Sequence, residues 1–562
     1  MNPKDQYFFS SALKLLFLTG LLVVAAIPFF LWTIQYNDFI HSILVHYGIQ
    51  DKEEVLRSRY LTRTAFQGMR YISLLLAAGY TLVLPVLIRK SGRFAENILT
   101  NLKKTGSIIR NEVGALKSEE LIVVALVTLV SLLLKLWYFF KVPFLIDEAF
   151  SYVYFVSKGA PVTASYYPAP NNHILSNLLS CGVQLFTDNA LLIMRLPSLL
   201  ISLVLGLVVF LFYKKHFSFA TAITAYLFYS LCFEMNFYAV QGRGYLLFTL
   251  CSFLLMIISF QYLSASRSVY LRLFAAVSIA GFYTIPTFIY PFAASILFLH
   301  VYFYRNRDFS PLLKLYGALA ATVAGVLLLY IPVLLVSGVS SIVANSWVKP
   351  LELSHWIQAF PAYGAGTANW LLNIETGGIF FLLFTGLSYL VTSSGRFAKT
   401  FLWFSIIYVL TPLVLIGIQR VLPFYRIWLY FIPIIGLYVG HICEGLRKSY
   451  LKITCSLALA AAMLFADLRA FEDDFGFYED MNRALRKVVQ DMPENVYCEE
   501  DTYYVFLNYY GIKNHVRFNI EDTFVADRLY DYLILKPDSQ IPHQGYDRFV
   551  ENEDVKVYVR RK

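Results

Sequence analysis

Residues 15–32 read LLFLTGLLVVAAIPFFLW, an unbroken run without a charged side chain. A helix crossing a hydrocarbon core of about 30 Å needs about 20 such residues, and similar runs recur as far as ITCSLALAAAMLFA at 453–466. Of the 562 residues, 58% are hydrophobic and only 15% charged, more apolar surface than one soluble core hides. The chain therefore reads as an all-α polytopic membrane protein. About thirteen spans are expected, near 11–33, 70–88, 120–139, 189–213, 218–233, 246–263, 271–286, 287–303, 315–336, 377–393, 400–418, 427–443 and 450–467. The first run is too long for a cleaved signal peptide and lacks a small-residue cleavage site.

Lys and Arg orient these spans, because cytoplasmic loops retain positive charge. The short basic loops Arg89 to Lys117, Lys214–Lys215, Arg267–Arg272, Arg305–Lys314, Arg396–Lys399 and Arg447–Lys452 all fall on one side, read as the cytoplasm. The opposite side receives 34–69, 140–188, 234–245, 337–376, 419–426 and the tail from about 468. Residues 1–88 read as a two-helix membrane extension, 89–119 as a basic amphipathic linker on anionic lipid, and 120–467 as the membrane core. From Asp467 onward, 20 Asp/Glu stand against 13 Lys/Arg, so this segment is acidic where the membrane part is basic. EDMNRALRKVVQDM at 479–492 has helical spacing, and YDYLILK at 530–536 and DVKVYVRR at 554–561 read as strands. A small extracytoplasmic α/β domain is expected there. The overall net charge of +10 is thus mostly an orientation signal, and nucleic acid is not an expected partner.

Five of the cysteines, Cys181, Cys232, Cys251, Cys443 and Cys455, lie in or beside spans, and Cys498 alone lies in the tail, which makes no disulfide framework. No phosphate-binding glycine loop or dinucleotide fingerprint occurs. The polar surface open to chemistry lies on the outer side, where nucleotide-activated substrates are normally absent. Energy must then come through the membrane, as a gradient or as a lipid-borne activated group.

The outer loops carry polar groups that converge on one interface. FLIDEAFSYVYF at 144–155 sets Asp147 and Glu148 at the water end of the third span. SYYPAPNNHILSNLLS at 165–180 adds Asn171, Asn172 and His173, EMNFYAVQGRGY at 234–245 adds Glu234, Gln241, Arg243 and Tyr245, and QRVLPFYR at 419–426 adds Arg420 and Arg426. A carboxylate such as Asp147 can take the proton of an attacking hydroxyl, while an arginine fork binds a departing phosphate bidentately. One base and one anion clamp suffice for inverting single displacement. Each residue also has a plainer reading. Acids cap helix starts, arginines snorkel to headgroups, a loop histidine or asparagine is often bonded within its own loop, and Glu234 can simply pair with an arginine. Tyr166 and Tyr167 can belong to the aromatic belt or stack on a sugar.

LIDEAFSY at 145–152, NNHILSNLL at 171–179, MRLPSLLISLVLGLVVFLFY at 194–213, YAVQGRGYLLFTL at 238–250 and PFYRIWLYFIP at 423–433 together resemble the membrane-embedded glycosyltransferases of the C-type fold, the superfamily of protein O-mannosyltransferases and the lipid A aminoarabinose transferase. The resemblance spans roughly 120–465. It implies a polyprenyl-phosphate sugar donor, an unknown extracytoplasmic acceptor, membrane lipids as partners, a bacterial inner membrane and Asp147 as base. Glu148 is assigned to orient acceptor or metal, and Arg243 with Arg426 to hold the lipid phosphate. Asn172, His173, Glu234 and Tyr245 complete the substrate-binding set, with no certain cofactor and a divalent metal left open. Two spans precede the family core, and Glu234 is the candidate for the second outer acid that some members use. The rival reading is a lipid or glycan transporter, which would place ionisable groups at mid-membrane and show an internal repeat.

Overall fold

The computed structural model describes residues 3–50, 53–343, 349–446, 448–474, 476–525, 527–551 and 555–561. Arg447 and part of the expected outer loop 337–376 lie outside these. The chain forms two compact units, one of residues 1–121 with 333–338, the other of 122–332 with 339–562.

In the smaller unit the Pro3–Thr33 helix packs along the Arg63–Gly114 helix. The approach is close: a Cβ on Gly20 would meet the Tyr80 hydroxyl at 2.5 Å, and that hydroxyl donates to the Phe17 carbonyl at 2.9 Å. Arg70 closes the far end, donating from Nε to the Leu31 carbonyl at 2.7 Å and from Nη2 to that of Ile34 at 2.8 Å. These carbonyls end a helix and have no partner within it. The expected boundary at residue 88 is not a structural break. One helix of 52 residues runs from Arg63 to Gly114, continuing past Pro85, and Ser91 turns its hydroxyl onto the Ile88 carbonyl.

Among the described residues ten helices are long and apolar enough to cross a membrane, and the protein is a multi-pass membrane protein. The expected spans at 218–233, 271–286 and 377–393 correspond to the shorter apolar helices Phe219–Leu231, Ser268–Thr284 and Gly378–Thr392. Between the expected spans 271–286 and 287–303, the chain breaks at Pro286, which lacks the N–H a continuing helix needs. The polar loops of the sequence are themselves largely helical. Ile146–Tyr154, Ile174–Gln184, Phe233–Val240 and Leu353–Leu372 connect the long helices.

The last long helix continues to Asp474, past the expected boundary at 467. The tail then forms a five-stranded sheet with the helices Gly476–Gln490 and Asp501–Asn514. Its strands are β1 (Asn495–Cys498), β2 (Asn519–Glu521), β3 (Tyr532–Leu535), β4 (Tyr546–Glu551) and β5 (Lys556–Arg560), in the order β2-β1-β3-β5-β4. β1 pairs in parallel with β2 and β3, whereas β5 is antiparallel to β3 and β4. Tyr532, Leu533, Ile534 and Leu535 are all buried, as a strand covered on both faces requires. One continuous apolar core holds Val488, Val496, Phe506, Tyr509 and Ile534 of the tail together with Phe144, Tyr152 and Val153 of the segment that carries the sequence's acid pair.

Candidate functional site

The site is organised around a buried ion pair that the sequence reading did not single out. Arg195 lies one turn into the Ala190–His216 helix and is fully buried. Its Nε donates to Glu148 Oε1 at 3.0 Å and its Nη2 to Oε2 at 2.8 Å. The remaining guanidinium hydrogens reach the carbonyls of Phe139, Val142 and Pro143 at 2.8 to 2.9 Å. Glu148 accepts two more bonds, from the Gly242 amide at 3.0 Å and the Leu145 amide at 3.3 Å. Such saturation is what keeps two buried charges tolerable. Both carboxylate oxygens of Glu148 are therefore occupied, and its expected role of orienting acceptor or metal gives way to a scaffold role. The bond to Leu145 makes Glu148 a helix-start cap as well.

Asp147, the next residue back, faces the other way. Its side chain is 29% exposed, and Oδ2 lies 3.3 Å from Arg426 Nη1 and 3.8 Å from Arg243 Nη2. The segment Gly242–Gly244 presents Arg243 through three backbone anchors. Glu148 takes the Gly242 amide, the Ser198 hydroxyl donates to the Arg243 carbonyl at 3.2 Å, and His173 Nδ1 accepts the Gly244 amide at 2.8 Å. Both glycines are required by close approach. A Cβ on Gly242 would lie 2.7 Å from Met194 Cβ, and one on Gly244 would lie 2.7 Å from Thr284 Cγ2. The Arg243 side chain is 1% exposed and donates to the Asn171 carbonyl at 3.2 Å, with longer approaches to Ser151 and Tyr245. The Tyr245 ring lies under both guanidinium groups, 5.7 Å from that of Arg243 and 5.5 Å from that of Arg426.

His173 is buried, and its proton affinity is held well below the ordinary histidine range, first by burial and then by Arg243 and Arg426. It is thus neutral, and with Nδ1 accepting from Gly244 its proton sits on Nε2, 3.5 Å from Arg243 Nη2. Two donors face each other there, and the Nε atoms of Arg243 and Arg426 are buried without a hydrogen-bond partner among the described residues. The pocket is short of acceptors, an arrangement that suits an anion.

The other expected site residues divide. Asn172 uses its amide inside the loop, donating to the Thr163 and Tyr166 carbonyls at 2.8 Å and accepting from Asn177 at 2.9 Å. It shapes the loop that sets His173, and the expectation of direct substrate contact does not fit it. Tyr166 and Tyr167 are buried, which removes them from sugar stacking. Glu234 is 4% exposed on the Phe233–Val240 helix, within electrostatic reach of Tyr138 and Tyr238. Arg420 is exposed in a left-handed turn, φ 52°, that ends the Arg396–Gln419 helix.

Beneath Glu234 lies a second buried network. Lys135 Nζ donates to Asn236 Oδ1 at 2.8 Å and to Ser131 at 2.9 Å, while the Tyr138 hydroxyl donates to Asp467 at 2.8 Å. The signal for Arg195, Lys135 and Asp467 was available, since an ionisable residue inside an apolar run is costly unless paired. Among the described residues, no three His, Cys, Asp or Glu side chains stand close enough to hold a metal ion. Glu148 has no free lone pair aimed at the site and His173 Nδ1 is occupied, so the donor set does not fit a metal.

No known family profile matches the sequence, and no curated protein matches it. The fold is similar to that in the crystal structure of ArnT from Cupriavidus metallidurans in the apo state, with a TM-score of 0.54, 12% sequence identity, and coverage of 78% of this chain and 97% of that one. ArnT is a lipid A aminoarabinose transferase, a membrane glycosyltransferase of the C-type fold. The fold expected from the sequence motifs is thus the fold observed.

Proposed function

We propose that the protein is an integral membrane glycosyltransferase that moves a sugar from a polyprenyl-phosphate donor to an extracytoplasmic acceptor by inverting single displacement. The observation that carries this reading is the placement of Asp147 between two arginines whose buried Nε groups lack acceptors among the described residues. The shared fold with ArnT supports it.

In this reading the donor's phosphate takes the N–H groups of Arg243 and Arg426 and the Nε2–H of His173. As the anomeric carbon–phosphate oxygen bond breaks, charge grows on the leaving oxygen, and donors already fixed in place stabilise it without reorganising. Asp147 accepts the proton of the acceptor hydroxyl as that oxygen bonds to the anomeric carbon. The phosphate gives the arginines a second anion to hold, which frees the carboxylate for the proton. The tail, on the same end of the molecule as Asp147, is extracytoplasmic, and the membrane is a bacterial inner membrane.

The transporter reading needs titratable groups free to change partners near mid-membrane. Arg195 and Lys135 lie within about two turns of the helix ends nearest the site, and each is already bonded.

The test is transfer of radiolabelled sugar from a panel of polyprenyl-phosphate donors to cell-envelope extract, by wild type and Asp147→Asn. Turnover that collapses in the variant while donor still binds supports the assignment. Asp147→Asn turnover equal to wild type removes Asp147 as base.

A further inference from the structure

The turn from Val142 to Leu145, which delivers Asp147, is gripped from two sides. From the membrane core, Arg195 binds the carbonyls of Val142 and Pro143. The next carbonyl, that of Phe144, accepts from Asn482 Nδ2 at 3.1 Å, and Asn482 belongs to the tail helix Gly476–Gln490. The Asn482 amide is itself fixed in orientation, because the Tyr510 hydroxyl donates to its Oδ1 at 2.7 Å. Asn482 is 7% exposed, so this chain of bonds runs through a dry interior, where a hydrogen bond has little competition from water. The Phe144 ring stacks on Tyr509 of the tail, centroids 4.4 Å apart at 12°, and Tyr152 meets the same Tyr509 edge-on at 5.8 Å. The outward side of the helix bearing Asp147 is thereby part of the tail's own core.

We propose that Asn482 is a positioning residue for Asp147. By holding the Phe144 carbonyl it fixes where the Ile146–Tyr154 helix starts, and so the distance from the Asp147 carboxylate to the arginines on Arg243 and Arg426. The tail is on this account a wall of the site and not an appended module. The mechanical part stands on the geometry alone, while its consequence for turnover rests on the proposed function. A group misplaced by about 1 Å loses up to about a hundredfold in rate.

The experiment is amide hydrogen exchange, read by mass spectrometry, on the full-length protein in lipid nanodiscs, comparing wild type with Asn482→Asp and Tyr510→Phe. The aspartate keeps the shape and the partner of Tyr510 but loses the N–H donor. Exchange across 145–152 is expected to rise about fivefold in Asn482→Asp, the factor carried by one net hydrogen bond, and by less in Tyr510→Phe. Amides of β3 should be unchanged. Unchanged exchange at 145–152 in both variants overturns the proposal. If Asn482→Asp also loosens β3, the whole domain has opened, and Tyr510→Phe, which removes one hydroxyl, decides in its place. In the transfer assay kcat is expected to fall about tenfold at unchanged donor affinity, and a fall confined to donor affinity overturns the positioning role. A wild type inactive with every donor sinks the functional reading and leaves the exchange comparison to judge Asn482.

Discussion

Arg195 and Glu148 close on each other in a two-pronged fork at 2.8 and 3.0 Å, with neither side chain reaching solvent. Breaking one side of a buried pair strands the other charge, at a cost of about 3–5 kcal/mol. Arg195→Met is therefore expected to lower the unfolding midpoint sharply, measured by thermal denaturation in detergent. The double variant Arg195→Met with Glu148→Gln should recover part of the loss, since no bare carboxylate remains.

Asp147 is a different case, because it is partly exposed, as is its partner Arg426. Asp147→Asn should leave the melting temperature nearly unchanged while turnover falls by about 10²–10⁴, the range for loss of a general base. A variant that melts far below wild type would show that Asp147 is structural.

Arg243 and Arg426 bind through geometry as much as charge. Lysine keeps the charge but loses the planar fork, so Arg243→Lys is expected to weaken donor binding by about ten- to a hundredfold, as a charge-assisted hydrogen bond of about 1.5–3 kcal/mol implies. Titration of the purified variant with polyprenyl-phosphate sugar measures this, and unaltered affinity would detach Arg243 from the phosphate.

His173 makes stability depend on pH in a definite direction. Its folded-state affinity for a proton lies well below the ordinary value of 6.5, so below about pH 6.5 the unfolded chain binds a proton that the folded one refuses. Stability contributed by neutral His173 is complete above that pH and is lost progressively as pH falls from there toward the lower folded-state value. His173→Gln should flatten this acid limb of the melting curve, and a limb of unchanged slope would contradict the burial argument.

Gly244 has no space for a side chain. Gly244→Ala would press a methyl group against Thr284 and against the His173 Cβ at 2.9 Å, at a cost of about 1–3 kcal/mol for overpacking. The displaced imidazole should also weaken donor binding, checked by the same titration.

The membrane class and the grouping of Asp147, His173, Arg243, Tyr245 and Arg426 were legible because each leaves a local mark. Apolar runs fix spans, and lone polar residues at span ends stand out against them. The Glu148 and Asn172 roles were misread for one reason: a neighbouring polar residue on the same stretch looks equally available until the fold shows which way it points. Glu148 lies one residue from Asp147 along a helix and so faces about 100° away, into Arg195. That partner lies 47 positions along the chain, and no local pattern links the two. Two of the tail's five strands, β3 and β5, were visible as apolar stretches, but its grip on Phe144 joins positions 338 residues apart, which only the folded chain brings together.

The uninterrupted Arg63–Gly114 helix has a consequence of scale. At 1.5 Å per residue its 52 residues make a rod of about 78 Å, more than twice the thickness of the hydrocarbon it crosses. Either the rod stands clear of the bilayer by a large fraction of its length, or it leans far over to stay near the surface. In both geometries it is a lever: a few degrees of tilt at the Arg63 end sweep Gly114 through several ångströms.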